Sequence, residues 1–303
     1  MTCKLRSLTL PARQLVTTDH CFPMLLGYNT NGLAHHDPLE AIKLLREIGY
    51  GSVALTLDHG LLNPANSLWR KQVDDVNYKL VTSGMRSVIE TGARFLLDYR
   101  QKHEPTLVSP DSNGRKHRVA FLKHAIDVAA QLNSDCVSLW SGVVKDSCSE
   151  AAVWDRLIPG LREVLDHAAT KNVVIGFEPE PGMFIDTMAR YQELLDRLDA
   201  PQLRLTLDVG HLHCLGETPL ADHIRCWASR IVNVHIEDMR AGVHEHLMFG
   251  EGEIDFPPVL QAFRDIGYAG GLHVELSRHS HVGPDAAKQA FDFLRALLDA
   301  HAA

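Results

Sequence analysis

LTLDVGHLH, Leu205 to His213, decides how the rest of the chain reads. A short apolar run, Leu205–Leu207, ends abruptly in the acid Asp208, and His211 follows across Gly210. A short apolar run of this kind fits a parallel strand covered on both faces by helices. An acid and an imidazole at its end are then delivered together to one rim of the sheet.

The same grammar repeats along the chain. NVVIGFEPEPG brings Glu178 to a strand end, RIVNVHIED brings His235, and GGLHVELSRH brings Glu275. Upstream, FPMLLGY (22–28), SVALTLD (52–58), ARFLLD (93–98) and DCVSLWSG (135–142) are expected as the first four strands. Amphipathic segments separate them. Asp37 is a candidate N-cap, Pro38 suits the first helical position and Gly49 stops that helix. Further helices are expected around 74–91, over 117–132, over 149–172 with a kink at Pro159, and over 187–198, 219–228 and 256–266. The polar segment 99–118 is expected to be a loop covering the site. Eight strand-then-helix units predict an α/β fold, a closed (β/α)₈ TIM barrel forming a single domain over residues 1–303. An open doubly wound sheet is disfavoured, because no G-x-G-x-x-G or phosphate loop follows the first strand.

Composition narrows the classes. The 303 residues are 45% apolar and 22% charged, ordinary for a globular protein. A net charge of −8 argues against a nucleic-acid partner, and no Lys/Arg cluster falls in the strand-end loops. No run of about 18 apolar residues suggests a membrane span, and MTCKLRSLTLPARQLV lacks the apolar core of a signal peptide. The six Cys show no C-x-x-C pair, so free thiols in a reducing cytoplasm are expected. Eighteen His are the unusual number, and His is a metal ligand and proton carrier near neutral pH.

In a barrel of this type, active-site groups come from the C-terminal strand ends. Glu178, Asp208, His235 and Glu275 end four consecutive strands. Three carboxylates at one rim cannot all stay ionised cheaply without a counter-charge. One divalent cation resolves the conflict. The mixed O/N donor set suits Mn²⁺ best, then Mg²⁺, with Co²⁺ or Zn²⁺ also accommodated. Trp140, ending the fourth strand, is a candidate apolar wall of a small-ligand pocket, balanced against a plain core Trp. Tyr28, Asn29 and Asp58 are further pocket candidates, while Cys214 has no base to make it a nucleophile.

GFEPEPG, LTLDVGHLH, NVHIED, HLMFGEGEIDF and HVELSR, in this order over the second half of the chain, resemble the xylose isomerase-like TIM barrels. That family groups sugar isomerases and epimerases with apurinic endonucleases. The resemblance implies metal ligation by Glu178, Asp208, His235 and Glu275. From its ketose 3-epimerases it implies Glu178 and Glu275 as an acid–base pair on opposite faces of the substrate. It further implies His211 on a substrate oxygen, and Arg240 as a substrate contact. The endonuclease branch gives His211 to a second metal, with an acid-x-His pair before the G-E-G segment. Here that pair is His244–His246, with His where an acid is expected, and His59 loosely resembles that branch's second-strand ligand. Asp98 stands where its third-strand His would be. That puts a full trinuclear zinc site in doubt; a second metal through His59, His211 or His246 stays open beside the preferred reading, a histidine-rich rim that binds substrate.

The expected function is a divalent-metal-dependent sugar isomerase or epimerase, moving a proton next to a carbonyl through a metal-stabilised enediolate. A dehydratase or lyase acting on a keto-sugar or keto-inositol needs the same intermediate and is the alternative. A Zn-dependent phosphodiesterase ranks below both, and a non-catalytic metal-binding scaffold remains the non-enzymatic reading. The expected partner is a small sugar or polyol, with homo-oligomers possible and no nucleic acid or membrane.

Overall fold

A computed structural model describes residues 24–300; the N-terminal stretch 1–23, with the signal-peptide reading and the start of the expected first strand, lies outside them. In chain order the elements are β1 (Leu25–Asn29), α1 (Pro38–Ile48), β2 (Ser52–Thr56), α2 (Trp69–Ser83), β3 (Arg86–Glu90), α3 (Ser112–Leu132), β4 (Val137–Leu139) and α4 (Glu150–Lys171). They continue with β5 (Ile175–Phe177), α5 (Met188–Leu198), β6 (Leu203–Asp208), α6 (Val209–Cys214), α7 (Leu220–Cys226) and β7 (Ile231–Ile236). A hairpin of β8 (Asp238–Arg240) and β9 (Val243–Leu247) precedes α8 (Phe256–Asp265), β10 (Gly271–Val274) and α9 (Gly283–Ala300). Eight parallel strands close in the order β1-β10-β7-β6-β5-β4-β3-β2, the expected barrel.

Local signals explain most boundaries. Asp37 caps α1, accepting from the Leu39 and Glu40 amides at 3.0 and 3.1 Å, and Gly49 ends it at φ 126°. Several expectations are corrected. The helix foreseen over 74–91 stops at Ser83, because Gly84 takes a left-handed φ of 62° and closes it. The run Ser87–Val88–Ile89 behind it enters the barrel as β3, so the third strand ends in Glu90 and not in Asp98. Residues 93–98 are turn and loop. Helix α3 begins at Ser112, ahead of the expected 117, because Asp111 accepts from the amides of Asn113 and Gly114. Helix α4 runs through Pro159 as a single element. Cys136, Cys148 and Cys214 are free as expected, whereas Cys226 is disulfide-bonded. No helix among the described residues is long and apolar enough to cross a membrane.

The barrel interior is not wholly apolar. Ser52, Ser138, Thr206, Asn233 and His273 are buried inside it. Room for the His273 ring comes from glycines: a Cβ at Gly27 would lie 2.3 Å from its Cδ2, and one at Gly271 would lie 2.5 Å from its Cε1. His273 Nδ1 lies 2.8 Å from Asn233 Oδ1 and Nε2 lies 2.9 Å from Ser52 Oγ. Both ring nitrogens are satisfied, as burial requires.

Burial, helped by the nearby His235 and Arg86 charges, pushes the His273 pKa down to about 3. Below about pH 6.5 an unfolded chain protonates this residue while the folded one does not. Acid therefore favours unfolding, by up to about 1.4 kcal/mol per pH unit from this one side chain. His273→Gln removes the titration. Urea denaturation between pH 7 and pH 4 is expected to give a shallower loss of stability for the variant than for the parent, and equal slopes would refute the assignment.

Candidate metal centre

Four strand ends meet at the C-terminal mouth. Glu178 directly follows β5, and its amide donates to the Leu139 carbonyl at 2.8 Å, extending the β4–β5 pairing by one step. Asp208 closes β6 and caps α6, with Oδ1 accepting from the His211 amide at 2.8 Å. This is why the acid and the imidazole of the LTLDVGHLH stretch travel together. His235 lies in β7, and Glu275 directly follows β10.

His235 Nδ1 lies 2.9 Å from Glu178 Oε1, 3.0 Å from Glu275 Oε2 and 3.8 Å from Asp208 Oδ2. One ligand atom from each of the four residues falls within 4.8 Å of all the others. Asp208 Oδ2 is buried with no hydrogen-bond partner. A buried carboxylate oxygen left this way costs free energy comparable to a lost hydrogen bond or more. Atoms spaced like this, with an orphaned acceptor among them, fit a cation with ligand bonds of about 2.0–2.2 Å.

The electrostatics show the same conflict. Burial pushes the Glu178 carboxyl up to about 8; His235 opposes the shift, and Glu275 and Asp208 reinforce it. Glu275 goes the other way: burial works against ionisation, but His235, His246 and His211 outweigh it and hold the carboxylate ionised. His235 is raised well above an ordinary imidazole, because Glu178, Glu90 and Glu275 outweigh the penalty of burial. Glu275 Oε1 also accepts from Asn31 Nδ2 at 2.8 Å, tying the loop after β1 to the site.

A second cluster adjoins the first. His211, His244 and His246 offer ligand atoms within 4.8 Å of one another, as do Glu178, Glu180 and His211. His244 Nε2 lies 3.1 Å from His211 Nε2. Glu180 Oε2 sits 3.8 Å from His211 Nε2, and Glu180 Oε1 sits 3.6 Å from His244 Nε2. Burial pushes His211 down to about 4, so its ring is neutral near pH 7 and can donate or accept.

The hairpin that carries His244 and His246 is fastened by Asp238. Its carboxylate accepts from the amides of Met239, Gly250, Gly252 and Ile254 at 2.9, 2.9, 2.9 and 3.1 Å. A Cβ at Gly252 would lie 2.2 Å from Asp238 Oδ1. The G-E-G segment is therefore a backbone cradle for one buried acid, and the sequence pattern reflects that packing.

The remaining expected residues are dispersed. Trp140 is buried, with the Arg118 guanidinium 4.4 Å from its ring centroid and the His103 ring edge-on at 5.6 Å. Arg240 is exposed and donates from Nη2 to the Glu251 carbonyl at 3.0 Å, on the hairpin and not toward the four ligands. His59 is exposed and lines a cavity of about 350 Å³ between the loops after β1 and β2, with His35, His36, Asp58, Arg94 and Phe95. It is in neither ligand cluster. Glu90 was not foreseen, although its carboxylate lies 2.9 Å from His235 Nε2. The signal was present as a β-branched pair, Val88–Ile89, between Gly84 and Gly92.

The family model of the xylose isomerase-like TIM barrel matches residues 42–297. An uncharacterized protein of Methanocaldococcus jannaschii is 26% identical over 215 residues, 65% of this chain and 73% of that one. The L-ribulose-5-phosphate 3-epimerase of Salmonella paratyphi A is 24% identical over 262 residues, 86% of this chain and 89% of its own. Among solved structures, an L-ribulose 3-epimerase superposes with a TM-score of 0.74 at 19% identity, covering 92% of this chain and 95% of that one. That likeness shows the fold. With a match over nearly its whole described length, the chain belongs to the xylose isomerase-like TIM barrel family.

Proposed function

We propose that this chain is a divalent-metal-dependent sugar epimerase or isomerase, acting on a small ketose or polyol-derived substrate by proton transfer next to a carbonyl. The observation that carries the reading is the convergence of Glu178, Asp208, His235 and Glu275 within 4.8 Å. The ribulose-phosphate epimerase relative supports the sugar class. Mn²⁺ is the cation that best suits two Glu, one Asp and one His. When bound, it polarises the substrate carbonyl and makes the neighbouring C–H more acidic.

The chain's own groups supply the proton movements. Glu275, held ionised, is the base that removes the proton. Glu178, on the opposite face, returns a proton to the substrate carbon. His211, neutral and buried beside Asp208, orients a substrate oxygen, and His246 at the rim adds a second polar contact. A single barrel domain holds the whole site. A dehydratase or lyase on a keto-sugar would share the first proton abstraction and differ in what leaves. The His211–His244–His246 trio favours one further reading, a second cation and with it phosphodiester chemistry; the net charge of −8 weighs against a nucleic-acid substrate.

Two outcomes are expected. With a ketose substrate in D₂O, deuterium enters the carbon next to the carbonyl, and Glu178→Gln or Glu275→Gln each lowers kcat by about 10²–10⁴. Full turnover by either variant contradicts the two-carboxylate scheme. The apparent Mn²⁺ affinity should also climb between pH 6 and pH 8, by about tenfold per unit, because Glu178 must lose its proton before it can ligate. An affinity flat over that range, measured by competition with a chelator, would rule out Glu178 as a ligand.

A further inference from the structure

Below the four ligands lies a chain of buried polar groups with one consistent direction. Ser52 Oγ is 2.9 Å from His273 Nε2, and His273 Nδ1 is 2.8 Å from Asn233 Oδ1. Asn233 Nδ2 donates to Glu90 Oε1 at 3.0 Å; His235 Nε2 meets the same oxygen at 2.9 Å and lies 3.2 Å from Asn233 Nδ2, so the shorter contact to the carboxylate sets its proton. Ser52, Asn233 and His273 are fully buried, and Glu90 is 6% exposed.

Donor and acceptor rules fix the protons. Asn233 Oδ1 can only accept, so His273 Nδ1 carries the hydrogen and Nε2 accepts from Ser52. That orients the Asn233 amide with its N–H toward Glu90. An ionised carboxylate also only accepts, so His235 must present a proton on Nε2. With Nε2 committed to Glu90, Nδ1 is the nitrogen that faces Glu178, Glu275 and Asp208; its proton is shared with those carboxylates until a cation displaces it and takes the lone pair. Apolar side chains would fill a barrel interior at less cost than a buried polar chain with a carboxylate in it. The arrangement makes sense if the tautomer matters.

We propose that Glu90 is a positioning residue for the metal centre: it takes the Nε2 proton of His235, fixes the ring, and leaves Nδ1 free to ligate, while Asn233, His273 and Ser52 hold its carboxylate in register. The proposal rests on the metal reading above and extends it to a residue from the opposite side of the barrel. Partners of this kind, which orient a metal-bound imidazole, typically change metal affinity 10–100-fold when removed.

The test is Mn²⁺ titration of the parent, Glu90→Gln, His235→Gln and the double variant, with free Mn²⁺ followed by electron paramagnetic resonance. Glu90→Gln keeps the size of the side chain but can present an N–H to His235. Its Mn²⁺ dissociation constant is expected to rise 10–100-fold, while adding it to His235→Gln should change affinity by less than about twofold. A merely structural Glu90 would weaken binding equally in both backgrounds, and that result, or no change in either, overturns the proposal while leaving the metal reading intact. Failure of the parent itself to bind Mn²⁺ overturns both. Should Glu90→Gln not fold, ¹⁵N histidine spectra of the Zn²⁺-loaded parent decide: a proton on Nε2 and metal on Nδ1 of His235 is expected, and the reverse tautomer overturns the proposal.

Discussion

Everything at the mouth of this barrel turns on three carboxylates packed around one imidazole nitrogen. Glu178 and Glu275 lie 2.9 and 3.0 Å from His235 Nδ1, with Asp208 at 3.8 Å. In a buried site these charges cannot all persist on their own, and the groups divide: one carboxyl is forced toward protonation while another is held ionised. A bound cation would remove the conflict, and the proposed function gives the two glutamates, Glu178 and Glu275, different tasks. The functional reading follows from that constraint more than from the family resemblance, since the fold alone hosts many chemistries.

The scaffold imposes the constraint through strand register. Asp208 pairs with His235 across β6 and β7, and His273 pairs with His235 across β10 and β7. Parallel pairing therefore puts Asp208 and His235 at one level, while Glu275 stands two residues past His273 on its strand. The hairpin after β7 completes the rim, pinned by the four amides that Asp238 accepts. Beneath the ligands, polar side chains replace the usual aliphatic layers of such barrels. The interior is thus arranged around the site at some cost in apolar packing.

Much of this was legible in the sequence because apolar runs ending in Glu178, Asp208, His235 and Glu275 are local patterns. A strand buried on both faces reads as a short apolar segment, and its last residue has nowhere to go but the mouth. The third strand was misplaced for an equally local reason. Helix α2 and β3 are separated by only Gly84 and Met85, and an apolar run after a helix can pass for its continuation. That slip hid Glu90. The partner role of Asn233 and His273 was invisible for a different reason: it depends on cross-barrel distances that no sequence spacing encodes. Arg240 illustrates the converse: its spacing after His235 is legible in the sequence, but that spacing does not reveal that its side chain donates to the Glu251 carbonyl. The His cluster was foreseen in part. Glu180, two residues after Glu178, is carried by the turn to the edge of that cluster.

The most direct test of the central claim is the metal content of protein purified without chelator, measured per chain by elemental analysis for the parent and for Asp208→Ala. About one Mn, Mg or Co per chain in the parent, lost in Asp208→Ala, is the result that four ligands around one cation predict. No bound metal in the parent, or the same metal content in Asp208→Ala, would contradict it.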